Sequence, residues 1–374
     1  MKSLYIHIGT GKTGTSALQA FLKKNQEALK INDFCYAQSG LIGDSHHRAC
    51  FNFARNEPNR KAETLRILSQ LKAEIEKGSL NNYIISSENF PGLTSEEIQL
   101  IKETLGDEIS IKFIVYIRRQ DQYVESWYSQ VIKTGEDPGS IQNLYNLLKQ
   151  EGFLSYLELV SKWERVFGQN SAIVRRYEKK HFHNGCIYSD FLNSIGLFLS
   201  PEFLMLNEHI NPGLSREQIL LGNALLKIDH EIPTSILRKP LPINFPRTSW
   251  LSFTERQEIL SFCKADNDII ARTYFSSPEL FADIQLNKDS EPRPIFENDY
   301  VLRFILYCEI HSPELLEKTK SALFYLLYSE ARAVETFDHK KALTLYTWAK
   351  LLKKENPDVI MEIDKLVNGE CSYT

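Results

Sequence analysis

The chain of 374 residues is long enough to bury a large core, and its 43% apolar and 25% charged residues exclude an intrinsically disordered protein. Its formal net charge of −4 argues against a dedicated nucleic-acid binder. No apolar run is long enough to span a bilayer and no signal-peptide pattern follows Met1, so we expect a soluble cytoplasmic protein.

Three strand patterns lie in the first third of the chain, each followed by a turn or a helix pattern. LYIHIG is a short apolar run that ends in glycines, and TSALQAFLKKNQEALK after it has apolar residues at helical spacing. NYIISSE and ISIKFIVYIRR are the second and third strands, and QDQYVESWYSQVIKTG is an amphipathic helix. Buried strands that alternate with helices predict a parallel sheet covered on both faces.

The rest of the chain is mostly helical in pattern. SAIVRRYE indicates one further strand at an edge of the sheet, and long helical patterns begin near Asp299. We therefore predict an α/β domain over residues 1–296 and a helical C-terminal extension over 297–374. The extension is the expected surface for a protein contact or oligomer.

The six cysteines include no C-x-x-C pair, which favours reduced thiols over a zinc or redox site. No metal site is expected elsewhere.

The motif with the clearest chemical meaning is GTGKTGTS, between the first strand and the first helix. Backbone N–H groups in a glycine-rich turn at a helix start form an anion site. The motif nearly matches the phosphate loop of nucleotide hydrolases, but Thr15 stands where their lysine stands and Lys12 comes three places earlier. The third strand ends in arginine rather than in the aspartate that helps to hold magnesium. We therefore expect a phosphate-bearing ligand handled without a metal.

A second anion site is predicted after the third strand. Arg118 ends that strand, and Ser126 follows eight residues later on the predicted helix. A guanidinium and a hydroxyl at this spacing suit a second phosphate.

Together these motifs resemble those of the sulfotransferases that use 3′-phosphoadenosine 5′-phosphosulfate (PAPS), and most of all their bacterial and carbohydrate-directed members. HIGTGKTGTSALQ is similar to the first motif of the family, and VYIRRQDQYVESWYSQ, with its arginine and serine eight residues apart, is similar to the second. The resemblance covers about residues 1–230. It implies a P-loop-like central parallel sheet flanked by helices, and PAPS as the sulfuryl donor. The residues it assigns to donor binding are Gly11, Lys12, Thr13, Gly14, Thr15, Ser16, Arg118 and Ser126.

The resemblance also implies roles in catalysis. Lys12 would stabilise the phosphate that leaves, and Glu88, at the end of ISSE, would be the base that activates an acceptor hydroxyl on a carbohydrate or glycolipid. His47, in the pair His46 and His47, is the rival base because imidazole titrates near neutral pH. Two other functions remain open: a P-loop kinase or other nucleotide-binding protein, and a non-catalytic binding module.

Overall fold

The computed structural model describes residues 1–53, 56–134, 139–206, 214–238, 249–282, 299–336, 338–352, 361 and 363. The protein has an α/β fold with a central sheet of five parallel strands flanked by helices, followed by a helical C-terminal region. Both features confirm the prediction from sequence. The chain divides into two compact units, each built from three segments of the chain.

The first unit comprises residues 1–124, 145–210 and 257–284 and contains the whole sheet. Its strands are β1 (Lys2–Ile8), β2 (Phe34–Tyr36), β3 (Asn82–Ser87), β4 (Ile109–Ile117) and β5 (Ala172–Arg176). They lie in the order β2-β3-β1-β4-β5, and every neighbouring pair is parallel. Strand β1 therefore lies in the middle of the sheet, between β3 and β4.

Thirteen α-helices lie in the described ranges. They are α1 (Thr15–Lys24), α2 (Gln26–Ile31), α3 (Arg60–Lys77), α4 (Ser95–Leu105), α5 (Gln120–Lys133), α6 (Ile141–Gln150), α7 (Tyr156–Phe167), α8 (Ile187–Ser194), α9 (Arg216–Ile228), α10 (Phe253–Phe275), α11 (Asp299–His311), α12 (Pro313–Val334) and α13 (His339–Leu352). None of these helices is both long enough and apolar enough to cross a membrane.

Successive side chains of each strand point to opposite faces of the sheet, so the core of the first unit has two layers. Leu4 and Ile6 of β1 point into the layer that packs against α3, α4, α7 and α10, where Trp163 is fully buried. Tyr5 points to the opposite face, which is covered by α1, α2 and α8. Both faces of the sheet are thus covered, as near-continuous apolar strands predict.

The first helix pattern, predicted as one helix over residues 15–30, is interrupted at Asn25. The Asn25 side-chain amide donates to the carbonyl oxygens of Phe21 (2.9 Å) and Leu204 (3.0 Å), and its Oδ1 accepts from the Leu204 N–H (2.6 Å). A buried asparagine with these three bonds competes with the helical hydrogen-bond pattern, so the segment forms α1 and α2.

The second unit comprises residues 125–144, 211–256 and 285–374. Its described core has two apolar clusters, one formed by α9, α11 and the first half of α12, and one formed by the second half of α12 with α13. The predicted boundary between residues 296 and 297 lies outside the described residues, and the predicted division into domains stays a prediction.

The described cysteines are free thiols, as the scattered pattern predicts: Cys35, Cys50, Cys186, Cys263 and Cys308. The sixth, Cys371, lies outside the described residues.

Candidate functional site

The loop between β1 and α1 has a tightly determined backbone. A Cβ on Gly9 would lie 2.4 Å from the Thr15 methyl carbon, so only glycine fits there without rearrangement. Gly14 has φ 75° and precedes the first residue of α1, while Lys12 has φ 67°, a left-handed conformation that a side chain rarely adopts. Such a conformation costs about 1–3 kcal/mol and is typical of functional loops.

Hydrogen bonds from two threonines hold this loop against the sheet. The Thr13 hydroxyl donates to the Thr10 carbonyl oxygen, and the Thr10 hydroxyl donates to the Tyr116 carbonyl oxygen on β4. Both side chains are buried. The Thr13 hydroxyl is thus used within the loop, and the predicted role of Thr13 in phosphate binding stays a prediction.

The N terminus of α1 has the features of an anion site. No side chain caps it in the described chain, and its first turn contains no acidic residue. Ser16 is exposed, and the Thr15 hydroxyl is buried without a hydrogen-bond partner among the described residues. Unpaired N–H groups and the positive end of the helix dipole favour a negative ligand here.

Arg118 lies beside the loop, as the sequence predicts. It is the first residue after β4, and its guanidinium donates to the Lys12 carbonyl oxygen (3.0 Å). The Tyr156 hydroxyl donates to the Arg118 carbonyl oxygen (2.6 Å), and the guanidinium lies 5.7 Å from the centre of the Tyr177 ring. These contacts fix the position of the arginine and bring its positive charge to the loop.

Lys12, Glu88 and Arg118 interact electrostatically across the ends of three neighbouring strands. The pKa of half-buried Lys12 is lowered by burial, raised by the nearby Glu88 carboxylate, and lowered by the Arg118 charge. Glu88 is exposed and follows β3 directly, next to β1 in the sheet. The predicted lysine, glutamate and arginine thus lie at the same edge of the sheet, the one where the carboxyl ends of the parallel strands meet.

The two adjacent histidines have different environments. His46 is fully buried, with Nε2 2.8 Å from the Ala37 carbonyl oxygen and Nδ1 accepting from the Ser86 N–H (3.2 Å). These bonds require the neutral ring with its proton on Nε2, and burial lowers the pKa of His46 to about 4. His46 is therefore a structural residue.

His47 is half-buried and interacts electrostatically with Glu88. Its Nδ1 lies 2.8 Å from the Ser87 hydroxyl, and its ring stacks on Phe53 with 5.8 Å between ring centres. Burial lowers the pKa of His47, and the Glu88 carboxylate raises it. His47 and Glu88 are therefore electrostatic neighbours, and both predicted bases stay candidates.

Sequence reasoning missed a histidine beneath the loop. His7 is the second-last residue of β1 and has no exposed surface, and its Nδ1 is 2.8 Å from the Ser86 hydroxyl. The Gln19 amide of α1 also donates to that hydroxyl (3.2 Å), so the network joins β1, β3 and α1. Burial lowers the pKa of His7 to about 3. The one polar residue within the apolar run YIHI was the available signal.

Two other predicted donor-binding residues have different positions. Gly11 lies half-buried in the loop, whereas Ser126 lies half-buried on α5, in the second unit. The predicted role of Ser126 stays a prediction.

The comparisons with known proteins name no function. No family model matches the chain, and no solved structure matches it. A protein from Archaeoglobus fulgidus that is described as an uncharacterized protein is 26% identical over 233 residues. The match covers 57% of this chain, and it spans about 61% of the length of that protein.

Proposed function

We propose that this protein is a sulfotransferase that transfers a sulfuryl group from PAPS to an acceptor hydroxyl. The observation that carries the proposal is the convergence of Lys12, Glu88 and Arg118, from the ends of β1, β3 and β4, at a glycine-rich loop and an uncapped helix N terminus. The order β2-β3-β1-β4-β5, with the loop after the central strand, supports the P-loop-like type of fold.

The loop and its surroundings suit the 5′-phosphosulfate end of PAPS. The backbone N–H groups of residues 11–16 and the α1 dipole attract an anion, and the Lys12 ammonium adds a full charge. When the bond between sulfur and the bridging oxygen breaks, negative charge grows on that oxygen. Lys12 and the loop N–H groups are the donors that stabilise it, and loss of one such donor typically lowers turnover about a hundred- to thousandfold.

Arg118 suits the 3′-phosphate, with Ser126 as its predicted partner. Its guanidinium donates to the Lys12 carbonyl oxygen, which holds a positively charged, planar group of the kind that binds phosphates beside the loop. The strand that it follows has no acidic residue at its end, which favours binding without magnesium.

In the transfer step, an acceptor hydroxyl oxygen forms a bond to sulfur while the bond to the 5′-phosphate oxygen breaks. The acceptor proton passes to Glu88 or His47, and the products are a sulfate ester and 3′,5′-adenosine bisphosphate. Glu88 is exposed beside the loop, and His47 is held by Ser87 next to it. A carbohydrate or glycolipid is the acceptor class that we propose, from the resemblance alone.

The test of this function begins with the thermal stability of the protein in the presence of nucleotides. At about a hundred times its Kd, 3′,5′-adenosine bisphosphate should stabilise the fold by about 2.7 kcal/mol, and ATP with magnesium should have no effect. Arg118→Ala should abolish the shift that the bisphosphate induces, whereas Arg165→Ala, which removes an exposed arginine paired with Glu158, should not. Stabilisation by ATP with magnesium alone would instead support a kinase, and no stabilisation by either would support a binding module.

The catalytic part of the proposal is tested with PAPS and a panel of sugar and glycolipid acceptors. Glu88→Gln and His47→Gln should both keep the bisphosphate-induced shift, because neither residue is assigned to the nucleotide. The variant that loses turnover identifies the base. If both variants keep full turnover, the proposed proton transfer is wrong.

A further inference from the structure

The second unit contains a cavity of about 180 Å³, lined by residues from the end of α5, from α9 and from the segment before residue 238. Its floor is apolar. Ile132 of α5, Ile219 of α9 and Leu237 line the cavity, and all three side chains are buried. Aliphatic side chains from three different segments thus surround a space that their own packing leaves open.

The polar side chain in the floor is satisfied within the protein. The Gln218 Oε1 accepts from the Ser215 N–H (2.7 Å), and its Nε2 donates to the Leu237 carbonyl oxygen (2.7 Å). The protein therefore holds this amide at both ends, and the depth of the cavity offers little to a polar ligand group. An apolar cavity of about 150 Å³ is large enough to bind benzene, so the cavity here has room for one six-membered ring with a small substituent.

The mouth of the cavity combines a polar and an apolar side chain. Asn223 of α9 is half-buried there, and its side-chain amide forms no hydrogen bond with another residue in the described ranges. Leu226, one turn later on α9, is also half-buried. An amide donates and accepts hydrogen bonds at once, as a hydroxyl group does. An apolar cavity with one polar group at a fixed position is typical of sites that bind small molecules.

We propose that this cavity binds a small cyclic alcohol of about the size of phenol. The ring fills the apolar floor, and the hydroxyl group forms hydrogen bonds with the Asn223 amide at the mouth. The volume selects a single ring, the satisfied Gln218 amide disfavours a second polar group in the depth, and Asn223 determines which end of the ligand faces outwards. All lining residues belong to the second unit, so this binding does not depend on the proposed sulfuryl transfer.

The test is titration calorimetry of the full chain with phenol and with benzene, which is the same ring without the hydroxyl group. One phenol should bind per chain, more tightly than benzene, and with the negative heat-capacity change that burial of apolar surface produces. Asn223→Leu keeps the approximate size of the side chain and removes the amide. It should raise the Kd of phenol about fivefold and should not raise the Kd of benzene.

A second variant tests whether the ligands occupy this cavity. In Leu226→Trp the larger side chain should fill the mouth and abolish binding of both ligands. Lys227→Trp places the same side chain at the next, exposed position of α9, outside the cavity lining, and should bind both ligands as the wild type does.

Four results would each overturn the proposal. They are a wild type without saturable phenol binding, equal affinity of the wild type for phenol and benzene, an unchanged ratio of the two Kd values in Asn223→Leu, and phenol binding that Leu226→Trp leaves intact. Because Asn223→Leu is judged by the ratio of two Kd values, a loss of folding cannot imitate the expected result.

Discussion

Because the first unit contains two buried histidines, His7 and His46, we expect the free energy of unfolding to fall in acid. In the unfolded chain a histidine has a pKa of about 6.5, whereas burial lowers the pKa of His7 to about 3 and that of His46 to about 4. Below about pH 6.5 the unfolded chain therefore binds protons that the folded protein does not bind. Stability contributed by the neutral rings is fully present above that pH and is lost as the pH falls towards each folded value.

The expected loss follows from these values. Between about pH 7 and about pH 5, each histidine should lower the free energy of unfolding by about 2 kcal/mol. The variant His7→Asn keeps an amide near Ser86 but cannot titrate. It should be less stable than wild type at neutral pH, because its smaller side chain leaves space in the core, yet it should lose about 2 kcal/mol less on acidification.

Urea unfolding at the two pH values measures this difference directly. Phe191→Leu is the matched control, because the Phe191 ring lies 5.5 Å from the His7 ring and its truncation removes volume without removing a titrating group. That variant should be destabilised and should keep the wild-type dependence on pH. If His7→Asn also keeps the wild-type dependence, His7 takes up its proton in the folded protein and the assigned environment is wrong.

Two further substitutions test contacts of the first unit by thermal unfolding. Asp190 forms a largely buried ion pair with Arg175, and Asp190→Asn should lower the free energy of unfolding by about 3 kcal/mol because Arg175 would keep its charge beside a neutral partner. In the control, Glu158→Gln removes the charge of an exposed ion pair with Arg165 and should lower the free energy of unfolding by less than about 1 kcal/mol. Equal effects would show that burial is irrelevant to the Arg175 pair. Gly14→Ala should cost about 1–2 kcal/mol from its φ of 75°, and more from a Cβ 2.9 Å from the Ile187 side chain. Gly43 has φ 55° and open space around it, so Gly43→Ala should show only the cost of the left-handed backbone conformation. If the two variants lose the same free energy of unfolding, the contact of the new Cβ with Ile187 does not contribute.

The central part of the fold was predictable because its signals are local. Strands β1, β3 and β4 are continuous apolar runs, and β5 was predicted as an edge strand from SAIVRRYE. Strand β2 was missed because its three residues are too few to show a period. The break at Asn25 was missed because its cause is a contact with Leu204, far along the chain.

The candidate site was predictable only in part, for a similar reason. Lys12 and Arg118 stand in recognisable motifs, and the fold brings them together because parallel strands end on one side of the sheet. The different environments of His46 and His47 were not predictable. Adjacent residues of a turn point in different directions, and only the bonds of His46 to Ala37 and Ser86 show which of the two is structural.

The segmented layout of the first unit has a consequence for synthesis of the protein. Its sheet strands are complete by residue 176, yet Ile270 and Ala271 of α10 belong to the core layer around Trp163. A ribosome that adds about 5–20 residues per second needs roughly 5–20 s to pass from the end of β5, at residue 176, to the end of α10, at residue 275. During that interval the apolar surface that α10 covers is open on the nascent chain. We therefore expect the growing polypeptide to depend on chaperones until α10 emerges, and fragments that stop before it to aggregate.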